Sequence, residues 1–295
     1  MKIDIVITHV NFNDITWQNQ YKKYFKSFNF DRHRADVDLK YLFRSINDNF
    51  DFVNNIYLIV SSETQVYDWI NRDKVKIVLH KDIIPKEFLP TFNSCCIEMF
   101  LHRIPELSDK FIYFNDDMFI INKKKDTDYC IYDKSKFGYK EHYYVDRFNI
   151  TQSQYANDLA MIKKLTNIDY DKNIKNLQSL HIPILYFKEY NDFVYNNLKE
   201  EIFARITRER SRINNSQYLF MDYLILKNKW YADADVYNNY KYVKIKSQKD
   251  FDEFKNILFS EHITDICVNY VNQKFVNELN KLFEQKFPNK SIYEL

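Results

Sequence analysis

The first 120 residues alternate between short apolar runs and longer stretches with helical spacing, and this alternation limits the fold more than any other feature. Four runs rich in β-branched and aromatic residues are predicted strands: residues 3–8, 55–61, 74–80 and 110–114. Between the first two, residues 38–49 carry apolar side chains at the i, i+3, i+4 and i+7 positions of a helix. Strands joined through helical connections favour βαβ units. The sequence therefore predicts an α/β fold with a Rossmann-like, mostly parallel sheet flanked by helices.

The remaining predicted elements are more varied. Residues 9–16 are predicted to form a polar loop and residues 65–71 a short helix, and another helix begins at Asn93 or Ser94 and continues to about Arg103. Beyond about residue 145 the predicted elements are mainly helices, at residues 154–165, 192–206, 217–227 and 271–287, with strands at 241–245 and 266–269. We expect residues 1–145 to form an α/β core and residues 146–295 a helical elaboration, within one integrated domain.

The stretch FIYFNDDMFII places three polar residues, Asn115, Asp116 and Asp117, inside an otherwise apolar run. Buried carboxylates are costly unless they are paired or bind a metal. These residues follow the fourth predicted strand, and open parallel sheets bind ligands at the carboxyl ends of their strands. Carboxylate oxygens suit Mg²⁺ or Mn²⁺, which one or two carboxylates and substrate phosphates can hold. The alternative, an ordinary acidic turn after a strand, stays open.

Glycine is nearly absent, since Gly138 is the only one in the chain. Neither a P-loop nor a G-x-G-x-x-G turn can therefore exist. A bound phosphate must instead be held by a metal, by side chains or by helix N-termini. The formal net charge of +2 gives no argument for a nucleic-acid partner.

The four cysteines, Cys95, Cys96, Cys130 and Cys267, show no metal-binding spacing, and the adjacent pair is poorly placed for a mutual disulfide. Reduced cysteines in a cytoplasmic protein are the expected state. The apolar run at the N-terminus is too short for a signal peptide, and no segment approaches the roughly 20 apolar residues of a membrane span. We expect a soluble protein, or one attached peripherally to the inner face of the cell membrane.

Polar residues also mark the predicted helix that begins near Asn93. Ser94, Glu98 and His102 are spaced four apart and would share one face of a helix, with Arg103 beside them. Such a face could form the polar wall of a sugar pocket. Equally, Ser94 could cap the helix while Glu98 and His102 form a solvated pair. Both interpretations stay open.

Two further charged clusters could approach a phosphate. One surrounds the start of the first long helix and consists of Asp36, Asp38, Lys40 and Arg44. The other follows His181 and consists of Arg205, Arg208, Arg210 and Arg212, one or two of which could clamp a phosphate bidentately. A solvated charged surface is the alternative for both clusters, and a structural role is the alternative for His181, which precedes a proline-containing apolar stretch.

Four stretches resemble, in order, the four motif blocks of the Stealth family of sugar-phosphate transferases. That family includes bacterial capsular polysaccharide phosphotransferases and the catalytic subunit of the eukaryotic N-acetylglucosamine-1-phosphotransferase. IDIVITHVNFNDITW resembles the first block, and the stretch from RADVDLKYLFRSI to FIYFNDDMFI resembles the second at length. HIPILYFKE with the later ERS resembles the third, and ICVNY with FPNKSIYEL the fourth.

The resemblance implies a chemistry and a fold. It implies transfer of hexose- or N-acetylhexosamine-1-phosphate from a UDP-sugar to a glycan hydroxyl, which forms a phosphodiester of a capsular or surface polysaccharide and releases UMP. It also implies a GT-A-like fold, Mg²⁺ or Mn²⁺ as cofactor, a saccharide acceptor and capsule assembly proteins as partners. Residues 1–145 would bind the nucleotide-sugar and the metal, and residues 146–295 would complete the active site.

The resemblance also implies roles for individual residues. Asp117, with Asp116 beside it, would bind the metal on the donor diphosphate. The implied catalytic residues are Ser94, Glu98, His181 and Arg210, with His181 as the base that deprotonates the acceptor hydroxyl. The implied donor-binding residues are Asn11, Asp14, Arg44, Asn93, His102, Arg103 and Asn115.

Some positions depart from the family pattern. His9 stands where Trp is usual, Phe12 where Gly is usual, and Tyr270 where an acidic residue is expected after Asn269. Two alternatives therefore stay open beside the transferase. One is a conventional metal-dependent glycosyltransferase that releases UDP, and the other is a non-catalytic sugar-nucleotide-binding protein.

Overall fold

The computed structural model describes residues 2–26, 37–125, 150–167, 181–226 and 239–295. Its strands are β1 (Ile3–Thr8), β2 (Val53–Val60), β3 (Val75–Leu79), β4 (Lys110–Asn115), β5 (Met118–Ile120), β6 (Ile184–Phe187), β7 (Tyr240–Ile245) and β8 (Asp265–Val271). Its helices are α1 (Ile15–Tyr24), α2 (Leu39–Asn49), α3 (His80–Ile83), α4 (Ser94–Glu98), α5 (Ile150–Thr166), α6 (Lys188–Asn197), α7 (Lys199–Arg205), α8 (Tyr218–Leu226), α9 (Gln248–Leu258) and α10 (Val276–Lys286).

The larger sheet has five strands in the order β3-β2-β1-β4-β6. Its first four strands are parallel, and β6 pairs antiparallel with β4 at the edge. The order 3-2-1-4 is that of a doubly wound, Rossmann-like sheet. The predicted fold class is confirmed: the protein is α/β, with a mostly parallel sheet flanked by helices.

Apolar side chains cover both faces of this sheet. Along β1, Ile5 and Ile7 belong to a core that also contains the apolar residues of α2, α9 and α10. Val6 points the other way, into a core shared with α4, α6 and α8. Because successive side chains of a strand face opposite sides, an unbroken apolar run such as β1 can be buried on both.

A smaller sheet of three strands, in the order β5-β8-β7, lies beside the first. β5 pairs antiparallel with β8, and β7 pairs parallel with it. The apolar run FIYFNDDMFII is therefore two strands, β4 in the large sheet and β5 in the small one. Asp116 and Asp117 form the turn between them, and the backbone N–H of Val268 donates to the carbonyl of Asp117 at 2.8 Å. The polar residues mark the point where the chain passes from one sheet to the other.

Several predicted elements differ from the structure in the first half. The predicted loop ends early because the Asp14 carboxylate accepts from the Thr16 N–H and caps α1. Residues 65–71 form no α-helix; a 3₁₀ turn covers Glu63–Gln65 instead. The helix predicted to reach Arg103 ends after α4, and a separate 3₁₀ turn covers Leu101–Arg103. Ser94, Glu98 and His102 consequently do not share one helical face.

The second half also contains elements that the sequence pattern did not predict. β6 lies within the stretch IPILYF, and α9 follows β7. The helix predicted at residues 192–206 is two helices, α6 and α7, divided at Leu198. The final helix begins at Val276 because β8 extends to Val271.

Arg44 connects α2 to the C-terminal segment. Its Nε and Nη2 donate to both carboxylate oxygens of Glu294 at 2.9 and 3.0 Å. Its Nη1 donates to Glu284 at 3.0 Å and to the carbonyl of Phe287 at 2.9 Å. The Arg44 side chain is 6% exposed and that of Glu294 is 5% exposed. Arg44, an implied donor-binding residue, thus has its guanidinium engaged inside the protein, where it ties α2 to the C-terminal segment.

We expect Arg44→Met to lower the free energy of unfolding by about 3–5 kcal/mol, because it leaves the buried carboxylate of Glu294 without its partner. Urea denaturation followed by circular dichroism measures the change. Arg72→Met is the matched control, since the Arg72–Glu63 pair is exposed on both sides and should contribute less than about 1 kcal/mol. Equal stability of the two variants would contradict the structural role of Arg44.

Candidate functional site

A cavity of about 350 Å³ opens at the carboxyl ends of β1 and β4. This is where a doubly wound sheet binds its ligands. Several of the residues singled out in the sequence line the cavity together, although they are distant in the chain: Asn93, Ser94, Asn115, Asp116, Asp117, His181 and Arg210.

Asp116 is paired with His9 at the floor of the cavity. The two residues follow the adjacent strands β4 and β1, and His9 Nδ1 lies 2.7 Å from Asp116 Oδ2. The His9 residue is only 4% exposed. His9 stands where Trp is usual in the family. Its imidazole therefore occupies one carboxylate oxygen of Asp116.

Asp117 is the point where the two halves of the chain meet. Its Oδ1 lies 3.2 Å from Nε2 of His181. Its Oδ2 accepts from Cys267 Sγ and from Asn269 Nδ2, each at 3.3 Å. The β4–β5 turn, the segment before β6 and strand β8 thus converge on one carboxylate.

Asp117 and His181 each favour the charged form of the other. Burial raises the pKa of the Asp117 carboxyl, but the charge of His181 and the hydrogen bonds from its neighbours outweigh burial and hold the pKa below its usual value. Burial lowers the pKa of His181, but the charge and hydrogen bond of Asp117 outweigh burial and raise it. Asp117 is therefore anionic at neutral pH and can attract a cation.

The residues present fit a divalent metal ion. Ligand atoms of Asp117, His181 and Cys267 all lie within 4.8 Å of one another. The Asp117 side chain is 24% exposed, so its oxygens can be reached from the cavity. Mg²⁺ needs few protein ligands, because one or two carboxylates and substrate phosphates suffice. Asp117 suits that role better than Asp116, which is paired with His9.

A hydrogen-bonded chain supports His181 from the other side. The Tyr113 hydroxyl donates to Asn115 Oδ1 at 2.6 Å and lies 2.9 Å from the Thr8 hydroxyl. The amide nitrogen of Asn115 lies 3.1 Å from Nε2 of His181. Because Tyr113 fixes the orientation of the Asn115 amide, it also fixes which group faces the imidazole. Sequence reasoning missed Tyr113, since a tyrosine inside an apolar strand gives no signal of a polar contact.

Glu98 lies beneath the cavity and does not line it. One of its carboxylate oxygens accepts from the backbone N–H of Gln217 at 3.0 Å, and the other lies 3.4 Å from the Tyr113 hydroxyl. Burial raises its pKa, although the charge of Arg210 opposes the increase. Glu98 can therefore support Tyr113 and Arg210, whereas Ser94 reaches the cavity itself.

Arg210 is held by a residue that the sequence did not single out. The Oε1 of Gln154, on α5, accepts from Nε and Nη2 of Arg210 at 3.3 and 3.0 Å. Gln154 is fully buried, and its amide nitrogen donates to the carbonyl of Ser211 at 2.9 Å. One turn further along α5, Asn157 donates to the carbonyl of Arg212 at 2.8 Å. A neutral amide thus orients the guanidinium without cancelling its charge.

Four implied donor-binding residues lie outside the cavity lining, in addition to Arg44. Asn11 and Asp14 are tied to Gln65, whose amide nitrogen donates to the Asn11 carbonyl at 3.1 Å and to Asp14 Oδ2 at 2.7 Å. They shape the loop after β1. His102 is buried against the Tyr195 ring, and burial lowers its pKa to about 3.

Arg103 lies over the Phe100 ring, with its guanidinium carbon 5.8 Å from the ring centroid. Neither His102 nor Arg103 lines the cavity, since both lie in the 3₁₀ turn that follows the end of α4. Asp36, from the charged cluster before α2, lies outside the described residues.

One end of the cavity is aromatic. Phe12, Trp17 and Phe92 line it, and the Trp17 ring contacts the other two edge-on at centroid distances of 5.4 and 5.5 Å. Phe12, which stands where the family has glycine, is therefore part of an aromatic wall. Among the described residues, no helix has the length and apolar character needed to cross a membrane.

Comparisons with known proteins agree on a family. A family model described as Stealth protein CR2, conserved region 2, matches residues 32–137. Capsular polysaccharide phosphotransferase WcwK of Streptococcus pneumoniae is 31% identical over 336 aligned residues, which cover 99% of this chain and 98% of that protein. Capsular polysaccharide phosphotransferase of Actinobacillus suis is 28% identical and covers 95% of this chain and 80% of that protein. SacB of Neisseria meningitidis serogroup A is 28% identical over 99% of this chain and 57% of its own length.

Among solved structures, the apo-form glycosyltransferase GlyE of Streptococcus pneumoniae matches 99% of this chain and 65% of its own chain. The identity is 9% and the TM-score is 0.39. The likeness to WcwK extends over nearly the whole of both chains, and the matched conserved region contains the turn with Asp116 and Asp117. The chain therefore belongs to the Stealth family of capsular polysaccharide phosphotransferases.

Proposed function

We propose that this protein transfers hexose- or N-acetylhexosamine-1-phosphate from a UDP-sugar to a glycan hydroxyl in capsular or surface polysaccharide synthesis. The observation that carries the proposal is the contact of Asp117 with His181 in a cavity that Arg210 also lines. An anionic metal ligand, an imidazole and a guanidinium are groups that can catalyse transfer of a phosphorylated sugar to an alcohol, since they hold a metal ion, take a proton and neutralise phosphate charge. The names of the matched relatives support the same reaction class.

The donor would lie along the cavity from the aromatic wall to Asp117. Phe12, Trp17 and Phe92 offer apolar ring surface for the uracil and ribose. A Mg²⁺ or Mn²⁺ ion bound with the donor would neutralise charge on the diphosphate, and Asp117 is the residue that would hold it. Arg210, oriented by Gln154, would hold the phosphate that is transferred. Phosphoryl-type transfer depends mainly on such positioning and charge neutralisation.

His181 would act on the acceptor. Its Nε2 lies within hydrogen-bond distance of both Asn115 Nδ2 and Asp117 Oδ1. Asn115 can donate to the unprotonated nitrogen before the acceptor binds, and the acceptor hydroxyl would take the place of that amide at the nitrogen. The Asp117 carboxylate can stabilise the imidazolium that forms after the proton is taken. The acceptor hydroxyl would lose its proton to this nitrogen and attack the phosphorus atom bonded to the sugar oxygen. The bond from that phosphorus to the bridging oxygen breaks, and UMP leaves.

The cellular setting follows from the proposed reaction. We propose a cytoplasmic protein that works at the inner face of the cell membrane, with a glycan acceptor and capsule assembly proteins as partners. Residues 1–145 would hold the donor and the metal ion, and residues 146–295 would supply His181 and Arg210. The membrane-side partners rest on the family resemblance.

Incubating the protein with a panel of UDP-hexoses and UDP-N-acetylhexosamines, a capsular oligosaccharide and Mg²⁺ tests the proposed reaction. We expect one donor to release UMP and to form a phosphodiester, detected by ³¹P NMR. Release of UDP with a glycosidic product would instead establish a conventional glycosyltransferase. Binding of the donor without consumption would establish a non-catalytic sugar-nucleotide-binding protein.

We expect Asp117→Asn to lower kcat/KM by about 10³-fold, because a metal ion contributes several kcal/mol of charge stabilisation and the amide holds it poorly. Asp116→Asn should cost less, because Asp116 is paired with His9. Initial rates over a Mg²⁺ titration compare the two variants. Full activity of Asp117→Asn after EDTA treatment would contradict the role of Asp117.

We expect His181→Ala to lower kcat by about 10²–10⁴-fold with little change in donor KM, because it removes a general base and no donor contact. Steady-state kinetics at saturating acceptor measures both constants. His262→Ala serves as the matched control, since His262 is exposed and lies away from the cavity lining. Near-normal turnover of His181→Ala would exclude His181 as the base.

A further inference from the structure

Three different kinds of metal-ligating atom meet at the Asp117 carboxylate. His181 Nε2 lies 3.2 Å from Oδ1, and Cys267 Sγ lies 3.3 Å from Oδ2. All three side chains offer ligand atoms within 4.8 Å of one another. They come from the β4–β5 turn, the segment before β6 and strand β8, so the fold itself brings them together.

This set of atoms does not suit every divalent cation equally. Mg²⁺ and Mn²⁺ prefer oxygen ligands and gain little from a sulfur atom. Zn²⁺ accepts oxygen, nitrogen and sulfur together, and its catalytic sites use three protein ligands with a fourth position open. In a tetrahedral site, metal–ligand bonds of 2.0–2.3 Å separate neighbouring ligand atoms by about 3.3–3.7 Å. His181 Nε2 lies near such a separation from Oδ1 of Asp117, and Cys267 Sγ lies near it from Oδ2. An ion bound to one of these two oxygens would draw the more distant ligand atom closer, and one ligand atom of each side chain already lies within 4.8 Å of the others.

The Cys267 sulfur has a polar partner within apolar surroundings. Cys267 is fully buried and packs with Ile182 and Tyr240. Besides these apolar neighbours, its Sγ contacts Oδ2 of Asp117. A metal ion at the carboxylate would therefore meet the sulfur without a change in the course of β8.

We propose that Asp117, His181 and Cys267 form a site for a thiophilic divalent cation of the Zn²⁺ type, and that its occupation blocks the transferase. The blocking part rests on the proposed function, because the ion would occupy the carboxylate assigned to Mg²⁺ and the imidazole assigned as base. On binding, the Cys267 thiol loses its proton to solvent and its sulfur binds the ion as thiolate. Zn²⁺ binds a set of oxygen, nitrogen and sulfur ligands far more tightly than Mn²⁺ or Mg²⁺ does. Cys267 would thus decide which cation the cavity retains.

Co²⁺ reports directly on this site, because a thiolate bound to Co²⁺ gives an intense charge-transfer absorption in the near ultraviolet. We expect one equivalent of Co²⁺ to produce that band with the metal-free protein, and Zn²⁺ to remove it by displacement. Cys267→Ser should lose the band, and Cys95→Ala should keep it, since Cys95 lies in α4 and is not one of the three residues whose ligand atoms converge at Asp117. Absence of the band in the unaltered protein, or its persistence in Cys267→Ser, would show that Cys267 does not bind the ion and would overturn the proposal.

A second variant covers the case in which Cys267→Ser does not fold. His181→Ala keeps the sulfur but removes the nitrogen ligand, so Co²⁺ should bind at least about tenfold more weakly. If His181→Ala and the unaltered protein bound Co²⁺ with equal affinity, His181 would not be a ligand and the three-ligand site would be excluded.

Inhibition separates this inference from the proposed function. With Mg²⁺ present, we expect the Zn²⁺ concentration for half-inhibition to rise at least about tenfold in Cys267→Ser, each variant being compared with its own uninhibited rate. If the Zn²⁺ concentration for half-inhibition were the same in Cys267→Ser and the unaltered protein, Zn²⁺ would not inhibit through this site. If the unaltered protein consumes no UDP-sugar but shows the Co²⁺ band, the proposed function fails and the metal site stands.

Discussion

The candidate site depends on one carboxylate. Asp117 contacts His181, Cys267 and Asn269 through its side chain, while its backbone carbonyl accepts from Val268. The same residue thus joins the turn between the two sheets to strand β8 and to the segment before β6. A partly buried anion is tolerated here because its neighbours hold its pKa below the usual value. The same arrangement leaves the anion available to a cation from the cavity.

The two halves of the chain contribute different parts to the site. The first half supplies the parallel sheet and the acidic turn at its carboxyl edge. The second half supplies His181 and Arg210, and helix α5 holds Arg210 through the buried amide of Gln154. At a separate place, Arg44 ties α2 to the C-terminal segment through Glu284 and Glu294. The halves are therefore joined both by the site and by a buried ion-pair network.

Local patterns predicted the sheet and the position of the acidic turn, because both depend on short-range properties of the chain. The β-branched runs became β1 to β4, and Asp116 and Asp117 lie at the carboxyl edge where the strand order predicts a ligand. The helix predicted from Ser94 to about Arg103 ends after Glu98. Cys95, Cys96 and Ile97 are buried at successive positions, so the apolar pattern there has no helical period that could show where the helix ends.

Long-range pairing explains what the sequence could not predict about the site. Arg44 has the charge of a phosphate ligand, but its partners lie about 240 residues later in the chain. Tyr113 and Cys267 stand in apolar strands, and Gln154 stands in a helix, so none carries a local signal of its contact. Their roles became visible only when the fold placed them beside Asn115, Asp117 and Arg210.

A crystal structure with Mn²⁺ and a UDP-sugar would show whether Asp117 holds the metal ion on the donor, because anomalous scattering locates Mn²⁺ without assumptions about its ligands. If Asp117 holds the ion, we expect an anomalous peak about 2.0–2.2 Å from one of its carboxylate oxygens and equally close to the donor diphosphate. A bound donor whose diphosphate lies away from Asp117, or an Mn²⁺ peak on other carboxylates, would contradict it.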